Sequence, residues 1–210
     1  MGTGINCYGM GMGQINMSHG QPCDLQRNRF ILTRCCRQII TVRNPFSRLV
    51  SAYYDKFPAG ARGHTYLYKA FSEQLNKQYR HMRKNETERG KVGDGKATFE
   101  DFLNFLLSQP HPENFDLHWI RYNDTCRPCE HRYDYIFKFE SMNEDVRYLA
   151  DRLNLSAEQR EIFFPPDSYT AKEDLVLKTF TTVPPELSQK LFERYKVDFD
   201  NFGYERPKWL

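Results

Sequence analysis

Arg43, Ser47, Arg48 and Ser51 fall within one short segment, Ile39 to Phe57, which reads IITVRNPFSRLVSAYYDKF. Guanidiniums and hydroxyls at this density suit a phosphate. Arginine meets phosphate oxygens with paired hydrogen bonds, and serine adds a neutral donor. His118, next to Trp119, is the titratable group best placed to act as a general base, because imidazole takes up a proton near neutral pH. Its plainer role is packing or hydrogen bonding beside the indole. Cys126-Arg-Pro-Cys129 has the spacing of half a zinc site or of a redox pair. No second pair of that form occurs, so structural disulfides of open connectivity are expected, with the adjacent Cys35 and Cys36 unlinked to each other.

The elements that must position these groups follow from residue order. Ile39 to Val42 is apolar and β-branched, as in a short buried strand. Asn44-Pro45 stops it and opens a helix, Asn as a cap and Pro at the first helical position, where its missing N–H costs nothing. Phe46, Leu49, Val50, Tyr53 and Phe57 then share one apolar face. A cation at a strand tip with a helix N-terminus behind it is a place for an anion. The plain alternative is an arginine paired with a carboxylate.

Further along, Leu67, Ala70, Phe71, Leu75, Gln78, Tyr79 and Met82 predict an amphipathic helix. Its outer face carries Lys69, Lys77, Arg80, Arg83 and Lys84, either a solvated surface or a contact for an acidic polymer. His64 and His81 sit in the same basic context. The charged, glycine-bearing stretch from Asn85 to Lys96 reads as a surface loop. Thr98 with Asp101 predicts a capped helix turning Phe99, Phe102, Leu103 and Leu106 inward. Tyr133 to Phe139 is a second strand candidate. Ser141 with Glu144 predicts a capping box for a helix through Leu153, and another helix starts at Ser156. A last helix follows Pro184-Pro185, with Leu187, Leu191 and Tyr195 on one face. Strands alternating with helices make the fold α/β with a largely parallel sheet.

Composition narrows the classes. The 210 residues are enough for a real core, and 40% hydrophobic content fits a globular chain. A formal charge of +3 is too small to argue for nucleic acid. No stretch has the apolar length of a membrane span, and the first residues lack a signal-peptide pattern. Four N-x-[ST] sequons, at Asn16, Asn85, Asn123 and Asn154, favour the secretory pathway, where cysteines pair. Residues 1–29 are rich in Gly, Met, Asn and Gln and read as a poorly ordered leader. Gly9 to Gly13 lack the flanking strand, helix and lysine of a phosphate-cradling loop.

Val42-Arg43-Asn44-Pro45-Phe46-Ser47-Arg48-Leu49-Val50-Ser51-Ala52-Tyr53 resembles the 3′-phosphate-binding motif of Golgi carbohydrate sulfotransferases, the group containing the chondroitin, dermatan and HNK-1 sulfotransferases. Thr98 to Phe102, His118-Trp119, Cys126 to Cys129, Tyr133 to Ile136, Lys138 to Glu140 and Tyr195 to Tyr204 match further blocks in order. The resemblance covers roughly Gln38 to Tyr204. It implies a P-loop-like parallel sheet flanked by helices. It also implies transfer of a sulfuryl group from 3′-phosphoadenylyl sulfate (PAPS) to a hydroxyl of a glycosaminoglycan or glycoprotein glycan, without a metal or nucleic acid. By position in that motif Arg43 and Ser51 are its expected donor-binding residues; Arg48, beside them, and His118, as base, are expected from the chemistry of the residues themselves. The implied location is the Golgi lumen, with a membrane-anchored, type II full-length form. The family's 5′-phosphosulfate motif, which contains Pro-Lys, is expected upstream of Arg43, yet no lysine precedes Lys56. Residues 30–210 are therefore expected to be a partial domain, incomplete on its N-terminal side, in which the lack of the 5′-phosphosulfate loop is expected to cost activity. The alternative function is a glycan- or partner-binding protein that keeps the fold without turnover.

Overall fold

The computed structural model of the protein describes residues 38–57, 66–83, 97–111, 113, 115–163 and 173–210. The leader expected at 1–29, the loop expected from Asn85 to Lys96, and His64 lie outside the described residues. Two compact units are present.

In the first unit, residues 38–44, 122–163 and 200–204, two strands pair in parallel. Strand β1, Ile39–Val42, runs beside β2, Tyr135–Lys138, with Ile39 opposite Tyr135 and Val42 opposite Lys138. Ile40 and Val42 pack with Cys126 and Phe202, while Ile39 packs with Phe137, Met142 and Leu149. Ile39, Ile40 and Val42 are thus buried on the two faces of β1, while Thr41, the one polar residue of the strand, is exposed. Helix α4, Tyr122–Cys126, precedes β2, and helices α5, Met142–Arg152, and α6, Ala157–Phe163, follow it. The capping box at Ser156 forms with Gln159: each side chain accepts a hydrogen bond from the other's backbone N–H.

The capping box expected from Ser141 and Glu144 does not form. A single turn of 3-10 helix, Phe139–Ser141, leads into α5 and moves the partner one residue along. The carboxylate of Asp145 instead accepts from the Ser141 hydroxyl at 2.9 Å and the Lys138 N–H at 3.0 Å. Cys126 is a buried thiol, whereas Cys129 is exposed and disulfide-bonded. The two do not bond each other.

The second unit comprises residues 45–57, 66–83, 97–111, 113, 115–121, 173–199 and 205–210. It holds helices α1, Pro45–Lys56, α2, Tyr66–Tyr79, α3, Phe99–Ser108, α7, Glu173–Phe180, and the part of α8, Pro185–Asn201, up to Phe199. Its core is aromatic. Phe46 stacks on Phe180 with ring centroids 4.6 Å apart and meets the edge of Phe199 at 5.3 Å. Phe102 lies 5.0 Å from Phe57 and 5.3 Å from Trp119. Rings of this size, fully buried, each stabilise the fold by about 1.5–3 kcal/mol.

Helix α2 departs from the expected face. Leu75 and Tyr79 are buried, but Ala70 and Gln78 are exposed and Met82 is half-exposed. The chain tightens into a 3-10 turn at Arg80–Met82, which shifts the phase of everything after it. Arg83, placed by sequence on the basic outer face, is instead 1% exposed and ion-paired with Asp101. Its Nε donates to Asp101 Oδ1 at 2.9 Å, and its Nη2 donates to the other oxygen and to Asn76 Oδ1. Ser72 is buried for a similar reason, accepting from the Ala97 N–H. Lys69, Lys77, Arg80 and His81 do face solvent.

Asp101 therefore works twice. It completes the α3 capping box with Thr98, accepting from the Thr98 N–H at 2.8 Å while its own N–H donates to Thr98 Oγ1 at 3.2 Å. It also neutralises a buried guanidinium. Removing one partner of a buried pair typically costs about 3–5 kcal/mol, against about 1 kcal/mol for a lost cap. Urea unfolding should accordingly show Asp101→Ala far less stable than Thr98→Ala. Equal losses in the two variants would mean the ion pair adds nothing.

Candidate active site

The site builds from the turn at residues 116–120, all in the second unit. The N–H groups of Trp119 and Ile120 both donate to the Asp116 carbonyl, at 3.0 and 2.8 Å. Three outward carbonyls of the turn are then taken by side chains. Arg48, from α1, donates from one terminal nitrogen to Ile120 O and from the other to Leu117 O, each at 2.5 Å. Tyr195, from α8, donates its hydroxyl to Trp119 O at 2.5 Å. Burial pushes the Tyr195 phenol far up, so it stays a donor across the ordinary pH range. The Trp119 ring is sunk in the aromatic core at 3% exposure. Between these anchors stands His118, exposed.

His118 is not alone there. The Asp116 carboxylate folds back on the turn, its Oδ1 accepting the His118 backbone N–H at 2.9 Å and contacting the ring Nδ1 at 2.5 Å. A carboxylate only accepts, so Nδ1 carries the hydrogen in this pair. Tyr68, on α2, donates to Asp116 Oδ2 at 3.3 Å and lies 3.4 Å from His118 Nδ1. Burial alone would raise the Asp116 carboxyl. The hydrogen bonds from the His118 backbone and ring, the imidazolium charge and the Tyr68 hydroxyl outweigh it and hold the group below the usual range.

A cavity of about 560 Å³ opens beside the pair. Phe71, Phe105, Phe115 and Trp119 wall it, and Tyr68, His111 and Asp116 add polar groups. Arg194 supports the same region, donating to the carbonyls of Leu106 and Gln109 at 2.7 Å and so closing the C-terminal end of α3. An aromatic wall edged by a few polar groups is suited to a sugar ring, whose C–H face packs on π-systems while its hydroxyls hydrogen-bond.

Arg43 belongs to the first unit. It follows β1 and is half-buried, with its guanidinium carbon 4.4 Å from the Phe139 ring centroid. Burial lowers its pKa, partly offset by Glu140 and by the phenols of Tyr122 and Tyr204. Glu140 ties this corner together. One oxygen accepts the Asn44 N–H and the other the Tyr204 hydroxyl, both at 2.9 Å. Burial and that carboxylate push the Tyr204 phenol far up. Lys138 sits over the Tyr204 ring at 4.6 Å and donates to Gly203 O, where φ is +60°.

Of the residues singled out in the sequence, Arg48 and His118 are joined through one turn, and Ser51 is exposed on α1. The terminal nitrogens of Arg48 lie on backbone carbonyls, a role its place in the motif did not suggest. Asp116, Tyr68 and Glu140 were not singled out as functional. Asp two residues before His was the available signal, since Asp readily bonds backbone two residues on. Tyr68 left none.

The family model described as "Sulfotransferase family" matches residues 18–205. Carbohydrate sulfotransferase 11 of Rattus norvegicus is 31% identical over 178 residues, covering 82% of this chain and 48% of the relative. Carbohydrate sulfotransferase 9 of Homo sapiens is 29% identical, covering 80% and 37%. Carbohydrate sulfotransferase 14 of Danio rerio is 29% identical, covering 79% and 43%. The chain thus spans less than half the length of these relatives. No solved structure matches.

The two Arg48 bonds make a direct prediction. Arg48→Ala should speed amide hydrogen exchange at Trp119 and Ile120 by about tenfold or more, the loss of at least about 1.4 kcal/mol of local stability, while central α3 amides stay protected. Lysine should not rescue it, because one ammonium cannot reproduce the planar fork. Unchanged exchange at the turn would show that other contacts hold it.

Proposed function

The chain belongs to the sulfotransferase family, and we propose that it transfers a sulfuryl group from PAPS to a sugar hydroxyl of a glycosaminoglycan or glycoprotein glycan. The observation that carries this reading is His118, backed by Asp116, on a turn tethered at three carbonyls beside an aromatic cavity. His118 would take the proton of the acceptor hydroxyl as its oxygen bonds to sulfur. The bond from sulfur to the phosphate oxygen of the donor breaks in line, and the electron pair leaves with adenosine 3′,5′-bisphosphate. The donor supplies the activated sulfuryl group; everything asked of the protein is placement and charge.

By position in the motif, Arg43 and Ser51 bind the donor's 3′-phosphate. Arg43 fits that task on its own geometry, since a partly desolvated guanidinium meets a phosphate more strongly than one in bulk water. Arg48 adds positive charge while its terminal nitrogens hold the turn. The acceptor sugar would lie against the half-buried rings of Phe71 and Phe105, with its reacting hydroxyl toward His118.

The proposed location is the Golgi lumen, with a membrane-anchored full-length form. The disulfide at Cys129 supports an oxidising compartment. The sequon at Asn154 supports it too: the residue is exposed in a left-handed turn at φ 51°. No described helix is long and apolar enough to cross a membrane.

The test is transfer of labelled sulfate from PAPS to desulfated chondroitin or an N-acetylgalactosamine acceptor. Arg43→Ala should lower the rate by about 10²-fold or more, the usual effect of losing a charged binding group. Acidic-glycan binding without donor affinity or transfer would overturn the reading and support the non-catalytic alternative.

A further inference from the structure

Histidine can present either ring nitrogen, and the one that accepts a proton is decided by what the other nitrogen meets. His118 Nδ1 meets a carboxylate at 2.5 Å, and no hydrogen bond involves Nε2 among the described residues. The same carboxylate oxygen accepts the His118 N–H, so one atom sets both the backbone and the ring. We propose that Asp116 is the positioning residue for His118, fixing the Nδ1–H tautomer so that Nε2 is the nitrogen that accepts the substrate proton. This rests on His118 being the base, but the tautomer itself does not.

The alternative is that Asp116 only shapes the turn. The two roles separate because the turn is held by other bonds as well: Arg48 on the Leu117 and Ile120 carbonyls, Tyr195 on that of Trp119, and the backbone bonds to the Asp116 carbonyl. A substitution of the Asp116 side chain leaves all of these in place. The remaining titratable groups near the pair come from two helices. Tyr68, on α2, touches both members. Lys56, near the end of α1, has its ammonium 5.2 Å from the Tyr68 ring centroid and 2.7 Å from the Asp55 carboxylate. The imidazole is 44% exposed and Asp116 37%, so water screens the pairing and the effect on rate should be moderate.

The experiment is ¹⁵N NMR of the histidine side chains in the intact chain, above the pH at which His118 loses its charge, with its signals identified by their loss in His118→Gln. The wild type should show His118 in the Nδ1–H form. Asp116→Ala should turn it largely to the Nε2–H form that a solvated imidazole favours. Asp116→Asn, whose amide oxygen still accepts from Nδ1–H, should keep the native tautomer but lose the carboxylate's charge. In transfer assays Asp116→Asn should lower kcat about 10-fold with KM unchanged. A wild type already in the Nε2–H form, or a tautomer unmoved in Asp116→Ala, overturns the proposal. If the tautomer moves as predicted in a chain that transfers no sulfate, the positioning stands and the role of His118 as base falls.

Discussion

Two hydrogen bonds from a single guanidinium, Arg48 to the carbonyls of Leu117 and Ile120, hold the turn that carries His118. A turn carries backbone carbonyls with no sheet or helix to satisfy them, and leaving them unmet in a partly buried place is unfavourable. The planar fork of arginine answers two at once from a helix that is itself fixed by Phe46, Leu49 and Val50 in the core. Tyr195 answers the third from another helix. His118 is thereby exposed without being loose. An exposed side chain on an untethered loop would lose that fixed orientation.

A second arrangement, in the first unit, handles charge rather than shape. Glu140 receives a backbone N–H and a phenol, which leaves it a fixed anion near Arg43. The guanidinium meanwhile lies on an aromatic face, a setting that removes water without removing charge. Burial disfavours the cation and Glu140 restores part of it.

Much of this was legible in the residues because the relevant forces are local. The switch at Asn44-Pro45 from a β-branched run to helical spacing marks the end of β1 and the start of α1. The Thr98–Asp101 box, a short-range hydrogen-bonded pair, formed as expected, and the helix expected from Ser156 is present, closed by a Gln159 partner that the sequence reading did not name. Failures came where a distant group or a small change of helical pitch decided the outcome. One 3-10 turn moved the partner of Ser141 from Glu144 to Asp145. Another put Arg83 inside and Met82 outside, and a buried arginine is stable only because Asp101, far along the chain, is there to receive it. Helices α4 and α7 were missed, one because it is only a single short turn. Arg48 was read from its neighbours in sequence as a phosphate ligand, and its contacts with residues about seventy positions away could not be seen there.

The most direct test of sulfuryl transfer with His118 as the proton acceptor is a single-turnover measurement, at saturating PAPS and acceptor, on the wild type and His118→Gln across pH 5 to 9. Glutamine keeps a polar side chain but cannot take the proton. The rate should fall by about 10²-fold or more, and the acid limb of the wild-type profile should vanish in the variant. A rate within twofold of wild type, with the same acid limb, would contradict the role of His118.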